Sequence, residues 1–209
     1  MATAQVLTER RGAVLVARMD HPPVNALALG LRTGLVDAIK QAESDPNVKA
    51  VVITGNGRAF SAGADITEFA KGRLEPFLWQ VINVIEQCSK PVIAAMNGLA
   101  LGGGLETALG CHYRVASADA KQFGLPEVKI GIVPGAGGTQ RLPRLIGFEG
   151  ALDMIVSGNP IDAKKAHALG LVDKLSAGDV VTDAVAFAED LIAQGKGPRR
   201  VSEIAVDAS

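Results

Sequence analysis

The sequence predicts an α/β protein with a largely parallel sheet. Segments whose apolar residues fall at helical spacing alternate with short apolar runs, in a cadence that repeats along the chain. Two of those runs, Val48 to Thr54 and Val92 to Met96, are apolar almost throughout rather than alternating, which marks strands covered on both faces. The chain has 209 residues, 48% of them hydrophobic and 21% charged. A chain of this length buries roughly 70% of its unfolded surface and needs no disulfides to hold a core.

Val6 to Arg10 and Val14 to Arg18 flank Arg11-Gly12 and read as a hairpin. His21-Pro22-Pro23 breaks the pattern, and Leu27, Leu31, Leu35, Ala38, Ile39 and Ala42 then keep a helical period until Asp45-Pro46. The strand Val48 to Thr54 is bounded by Gly55-Asn56-Gly57. Phe77, Val81, Ile82, Ile85 and Cys88 define a second helix, Lys90-Pro91 stops it, and Val92 to Met96 is the next strand. His112 to Ala116 reads as a third strand, Leu152 to Val156 and Ala163 to Leu169 as helical, and Val172 to Leu175 as extended. Asp179 to Ala193 is an amphipathic helix. From Gly195 to Ser209 no period is visible, although Val201, Ile204 and Val206 are apolar enough to pack.

A formal charge of −1, with no basic block longer than a pair such as Arg199-Arg200, argues against nucleic acid as a partner. No run approaches the ~20 apolar residues of a membrane span, and the N-terminus lacks the apolar core of a signal peptide, so a soluble intracellular protein, cytoplasmic in a bacterium, is expected. Cys88 and Cys111 form no CxxC pair and read as buried reduced thiols. The three histidines, His21, His112 and His167, show no HExxH spacing, read as structural or surface residues and support no metal site.

The 24 glycines cluster at Gly98 to Gly110 and Gly131 to Gly138. Two glycine-bearing loops, Phe60-Ser61-Ala62-Gly63-Ala64-Asp65 and Leu101-Gly102-Gly103-Gly104, are each expected to leave a buried strand and enter a helix, whose free N–H groups and positive dipole end can donate to developing negative charge. Asp65 with Glu68 resembles a capping box. Glu106 follows the triple glycine, and Glu127 follows Pro126, which holds Leu125 extended and makes a stiff turn. Spacing alone leaves open whether both acids are catalytic, whether Asp65 is only a cap, and whether the triple glycine is only a turn.

The Walker pattern GxxxxGK[ST] is missing from both loops, the GxSxG elbow is missing too, and Gly135-Ala136-Gly137-Gly138-Thr139-Gln140 lacks the third glycine of a dinucleotide fingerprint. The strings FSAGADITEF, AAMNGLALGGGLETALGCHYRVA, FGLPEVKIGIVPGAGGTQRLPRLIG and ALDMIVSGNPIDAKKAHALGLVD resemble the crotonase family of enoyl-CoA hydratases and isomerases over about Val6 to Ala193. The wording GGGLETALGCHYRVA is most similar to the hydratase region at the N-terminus of multifunctional fatty-acid oxidation proteins.

The resemblance implies a crotonase-like spiral of ββα turns and hydration of 2-enoyl-CoA to 3-hydroxyacyl-CoA in fatty-acid β-oxidation. It implies an oxyanion hole from the Ala64 and Gly103 amides, a substrate-binding stretch through Ala62, Ala64, Asp65 and Ile66, and catalytic Glu106 and Glu127 around one water. Two acids sharing a water suppress each other's ionisation, so one is expected to be protonated near neutral pH. No metal or cofactor is implied, coenzyme A being part of the acyl-CoA substrate. Retention of Glu106 favours hydratase over the alternative, Δ3-Δ2-enoyl-CoA isomerase; an acyl-CoA-binding module without turnover is the third reading. Lys71, Arg73 and Lys129 could meet CoA phosphates or be solvated surface charge. The expected division is a catalytic domain over 1–195 and a tail over 196–209 that begins a missing helical or linker region. On that expectation the C-terminal helices are truncated, and the full polypeptide is a homotrimer or carries an attached dehydrogenase domain.

Overall fold

A computed structural model describes residues 3–65, 67–68 and 74–206. Among the described residues, nine strands form two sheets. β1 (Gln5–Arg11) and β2 (Val14–Asp20) pair antiparallel as the expected hairpin. Strands β3 (Ala50–Gly55), β5 (Val92–Met96), β7 (Tyr113–Ser117) and β9 (Lys174–Ser176) then extend the sheet in parallel, in the order β1-β2-β3-β5-β7-β9.

Between the long strands lies a second sheet that periodicity does not reveal. β4 (Ala59–Ser61), β6 (Leu99–Leu101) and β8 (Phe123–Gly124) pair in parallel in the order β4-β6-β8. Each turn of the chain thus runs through one long strand and one short strand before it continues, and successive turns stack in the same order in both sheets. The glycine loops therefore leave β4 and β6, not the long strands Val51 to Thr54 and Val92 to Met96 as expected. Two or three residues per strand are too few to show an alternation.

The large sheet is covered on both faces, which explains its continuous apolar runs. Val14, Val16, Val52, Ile93, Ala95 and Val115 pack with α6 (Val180–Ala193). The alternate residues Leu15, Ala17, Val51, Ile53, Ala94 and Ala116 join the core with α1 (Leu29–Ser44), α2 (Leu78–Glu86) and α3 (Gly103–Gly110). Next come α4 (Gly138–Ser157), broken at Gly147 (φ 79°, ψ 168°), and α5 (Ala163–Ala168). Asp162 and Asp179 cap α5 and α6 through the Lys165 and Thr182 N–H groups, both at 2.8 Å. No described helix is long and apolar enough to cross a membrane. Cys88 and Cys111 are buried free thiols, which burial pushes up to about 12.

Three local expectations change. Asp65 and Glu68 make no capping box: Asp65 Oδ1 accepts from the Thr67 N–H at 2.9 Å and its hydroxyl at 2.7 Å, while Glu68 reaches away. Glu68 accepts the Leu29 N–H and an Arg32 Nη1 proton, each at 2.7 Å, and so closes the start of α1, whose own N-cap Ala28 offers no acceptor. His112 precedes β7 instead of opening it; its buried ring accepts the Val92 N–H on Nδ1 and donates from Nε2 to the Glu86 carbonyl, both at 2.9 Å. Finally, the aperiodic tail is docked. Tyr113 donates to the Gly197 carbonyl (3.0 Å), Arg199 pairs with Asp173 (2.6 Å) over the Tyr113 ring, and Val201 is buried in a 3-10 turn. Polar and cation–π contacts hold this segment, so it needs no apolar period.

Asn25 anchors the loop ahead of β4. It is fully buried with φ 53°, its Nδ2 donates to the Asn56 and Ala59 carbonyls (2.9 and 2.8 Å), and its Oδ1 accepts the His21 N–H (3.0 Å). Asn is among the few non-glycine residues that tolerate this conformation, and Ala would take a partner from three backbone groups, two of them part-buried and the Ala59 carbonyl buried. Asn25→Ala is expected to lower unfolding free energy in urea by about 2–4 kcal/mol; a loss below about 0.5 kcal/mol would show that the knot is dispensable.

Candidate active site

The three short strands deliver three turns to one place. After β4, Ser61 Oγ bonds the Asn25 carbonyl (2.8 Å), the Ala62 N–H bonds the Val24 carbonyl (2.9 Å), and the Gly63 carbonyl accepts the Leu27 N–H (2.8 Å). After β6, the Gly102 N–H bonds the Gly124 carbonyl of β8 at 2.9 Å, and α3 begins at Gly103. After β8, Pro126 opens a 3-10 helix (Pro126–Ile130) with Glu127 in its first turn. Proline suits that position because the first N–H of a helix has no internal acceptor.

Glycine permits the closeness. Gly104 sits so near β4 that a Cβ there would lie 2.2 Å from the Ser61 carbonyl oxygen. Gly102 adopts φ 52°, and a Cβ on it would come within 3.1 Å of Glu127 Oε1. The turns that carry the Ala64 and Gly103 nitrogens touch: a Cβ on Gly103 would be 3.5 Å from the first, and one on Gly63 would be 3.3 Å from the second. As the first residue of α3, Gly103 has no acceptor for its N–H inside the helix.

These turns border a cavity of about 420 Å³, within the usual range for small-molecule sites. Ala62, Ala64, Gly103, Glu106 and Glu127 all line it, so the structure brings together most of the residues singled out from the sequence. Asp65 turns its carboxylate to Thr67. Ile66, Lys71 and Arg73 lie outside the described residues. Lys129 is on the cavity wall with Nζ donating to Asn159 Oδ1 at 2.9 Å. Leu78, Trp79, Ile130, Ile132 and Val133 make the rest of the wall apolar.

The two acids are 3% and 8% exposed, yet their surroundings differ. Glu106 Oε1 accepts two backbone N–H groups, from Ala136 at 2.8 Å and Gly138 at 2.9 Å. Burial raises its pKa, while these N–H groups and the cation of Arg141 oppose the rise. Glu127 Oε2 has no hydrogen-bond partner among the described residues. Burial lifts the Glu127 pKa to about 7, its own backbone N–H opposes the rise, and the nearby Glu106 charge adds to it. Burial thus raises the pKa of both carboxylates, but only Glu106 has donated N–H groups from a second turn and a nearby cation to oppose the rise. Two adjacent N–H groups at the edge of an apolar cavity can, in addition, donate to a single carbonyl oxygen.

The sequence reading missed the turn that holds Glu106. Gly135 to Gly138 fails as a dinucleotide fingerprint, but its two N–H donors serve a carboxylate of the chain itself. The available signal was a glycine pair at a helix start, where Gly137 takes φ 103°. Arg141 was also overlooked, since a lone arginine in a helix normally reads as surface charge.

The enoyl-CoA hydratase/isomerase family matches residues 9–207. The chain is 46% identical over 195 residues to the human peroxisomal bifunctional enzyme, covering 93% of this chain and 27% of that protein. It is also 49% identical over 166 residues to a probable enoyl-CoA hydratase of Bacillus subtilis, covering 76% of this chain and 64% of the relative. It thus spans about a quarter of the length of the bifunctional relatives it matches. The crystal structure of an enoyl-CoA hydratase from Bacillus anthracis superposes with a TM-score of 0.85 at 36% identity, over 90% of this chain and 77% of that one. The crotonase-like spiral expected from the sequence is therefore borne out, and the chain belongs to the enoyl-CoA hydratase/isomerase family.

Proposed function

We propose that this chain is a hydratase domain that adds water across the double bond of a 2-enoyl-CoA to give 3-hydroxyacyl-CoA in fatty-acid β-oxidation. The observation that carries this reading is the pair of buried carboxylates, one held by two backbone N–H groups and the other with an oxygen lacking a partner among the described residues, beside the turns that carry the Ala64 and Gly103 amides.

In this mechanism the thioester carbonyl accepts from the Ala64 and Gly103 amides, and a water lies between the acids. Glu106, ionised, takes a proton from the water as its oxygen bonds to the β-carbon. Glu127, protonated, gives its proton to the α-carbon. Charge that develops on the thioester oxygen is met by donors already fixed in place, a term worth about 10²- to 10³-fold per donor. The proton gained by Glu106 and lost by Glu127 must be redistributed before the next turnover, and the proximity that makes each acid sense the other's charge supports that exchange. The substrate supplies coenzyme A, and the mechanism requires no metal or redox cofactor.

The retained Glu106 supports hydration over double-bond migration, which needs one acid to carry a proton between carbons. The apolar wall from Leu78, Trp79, Ile130 and Val133 supports an acyl substrate. The proposed unit spans 1–195, with Lys129, whose Nζ bonds Asn159, on the cavity wall toward CoA phosphates, and 196–209 as a tail.

Glu106→Gln and Glu127→Gln are each expected to lower kcat for crotonyl-CoA hydration about 10²- to 10⁴-fold while leaving acyl-CoA affinity within a few-fold. Near-normal turnover in either variant removes that acid from the mechanism, preferential consumption of 3-enoyl-CoA makes the chain an isomerase, and binding without turnover in the unmodified chain makes it a module. For the unmodified chain, kcat/KM should fall as pH rises through about 7, where free Glu127 loses its proton.

Stability should show the same group with a defined sign. The folded-state pKa of Glu127 is raised from 4.5 to about 7, so the folded protein binds more protons in that window and stability falls as pH rises through it. Glu127→Gln abolishes this titration. Its stability relative to the unmodified chain should improve by about 1–3 kcal/mol between pH 4.5 and 8, read as a growing difference in Tm. A difference that is flat with pH would show Glu127 to be ordinarily solvated.

A further inference from the structure

We propose that Arg141 is a positioning residue for Glu106, gripping the turn whose N–H groups hold that carboxylate. The inference rests on the hydratase reading for its consequence in catalysis and on the contacts of Arg141 for its effect on Glu106.

Arg141 lies in the first turn of α4 and is 7% exposed. A cation there opposes the helix dipole and is disfavoured by about 0.3–1 kcal/mol even before burial is counted. Its presence is not explained by capping, and an apolar residue would fill the space as well. What the guanidinium does is fold back over its own helix start. Nη1 donates to the Ala136 carbonyl at 3.3 Å, and the Arg141 N–H bonds the Gly137 carbonyl at 2.9 Å. The carbonyl it grips belongs to the peptide between Ala136 and Gly137. The peptides on either side carry the Ala136 and Gly138 N–H groups that converge on Glu106 Oε1. Fixing the middle peptide fixes the aim of both neighbours.

The arginine is itself clamped from α2. Nη2 and Nε meet Glu86 Oε2 at 2.6 and 3.2 Å, and Nη2 also reaches Asn83 Oδ1 at 3.3 Å. Glu86 Oε1 accepts the Ser202 N–H of the docked tail at 2.9 Å. Burial would raise the Glu86 pKa, but Arg141 and the Ser202 N–H override it and keep the group ionised. The charge that acts on Glu106 is that of Arg141 from α4, which is paired with Glu86 from α2; Glu127 of the 3-10 helix, which senses the Glu106 charge, and Lys129 line the same cavity. This balance has an opposite response to its two members. Neutralising Arg141 leaves the Glu86 charge uncompensated and should make Glu106 harder to ionise; neutralising Glu86 leaves the cation uncompensated and should make it easier.

Two measurements decide it. In a Glu127→Gln background, the Glu106 carboxyl is titrated by carbon-13 NMR, with no substrate present. Arg141→Gln should move its midpoint up in pH and Glu86→Gln should move it down; shifts in the same direction, or none, overturn the proposal. If Arg141→Gln does not fold, Glu86→Gln decides alone, and an upward or absent shift counts against it. In the otherwise unmodified chain, Arg141→Gln should lower kcat for crotonyl-CoA roughly 10- to 100-fold with KM within about threefold, and move the acidic limb of the pH profile upward. Arg141→Lys should restore the limb but only part of kcat, because it returns the charge without the planar fork. An Arg141→Gln enzyme with unchanged kcat and profile overturns the proposal and leaves the hydratase reading intact. An unmodified chain that does not hydrate crotonyl-CoA ends that reading, while the titration still determines what Arg141 does to Glu106.

Discussion

Consecutive turns of this chain meet main chain against main chain, and at Gly104 the start of α3 presses on the end of β4. Any side chain at that position would displace the Ser61 carbonyl or push α3 outward by more than an ångström, since a Cβ would sit 2.2 Å from the oxygen. The consequence reaches the cavity directly. The Ala64 turn hangs from β4 and the Gly103 amide opens α3, so the spacing of the two amides is set by how near these elements can come. A spiral in which each turn contributes one long and one short strand supplies the frame, and glycine removes the last spacing that side chains would impose.

Charge is arranged on that frame by unequal service to two carboxylates. Glu106 is met by two N–H groups and a clamped arginine; Glu127, across the same cavity, keeps an oxygen with no described donor. A buried unpaired acceptor costs about 1–3 kcal/mol, more if it is charged, and the least costly state of Glu127 is therefore the protonated one. Its proton preference needs no special device beyond the withholding of partners. Ionisation of Glu106 needs the opposite: a turn built from Ala136, Gly137 and Gly138, held by Arg141, and through Glu86 tied to α2 and the tail.

Much of this was legible in the residues, and the limits are physical. The long strands were readable as continuous apolar runs covered on both faces, and α1, α2 and α6 because each buries enough residues to express a helical period. β4, β6 and β8 were not, since two or three residues show no alternation and their pairing is set by the stacking of turns far apart in sequence. Glu106 and Glu127 stood out because each follows backbone punctuation, the triple glycine and Pro126. The Asp65 and Glu68 pairing misled because Glu68 has a stronger distant attraction, the buried Arg32 and the uncapped start of α1. Arg141 was invisible for the same reason in reverse: nothing in a local window announces that its partner lies 55 residues earlier on another helix.

That long-range tie bears on how a site of this kind remains specific about which acid holds the proton. Two carboxylates in one apolar cavity, left to burial alone, would both drift toward the neutral form, and neither would serve as a base. Breaking the symmetry requires a positive influence on one acid that the other does not receive, and in a cavity with this apolar wall it comes without a solvated cation projecting into the open space. Backbone N–H groups meet that condition because they carry partial charge without bulk, and Arg141 meets it by acting from behind the turn rather than from the cavity. Its partner Glu86 holds the guanidinium from α2. The acid pair is thus set by contacts from α2 and residue 202, behind the site, as much as by the groups that face the cavity.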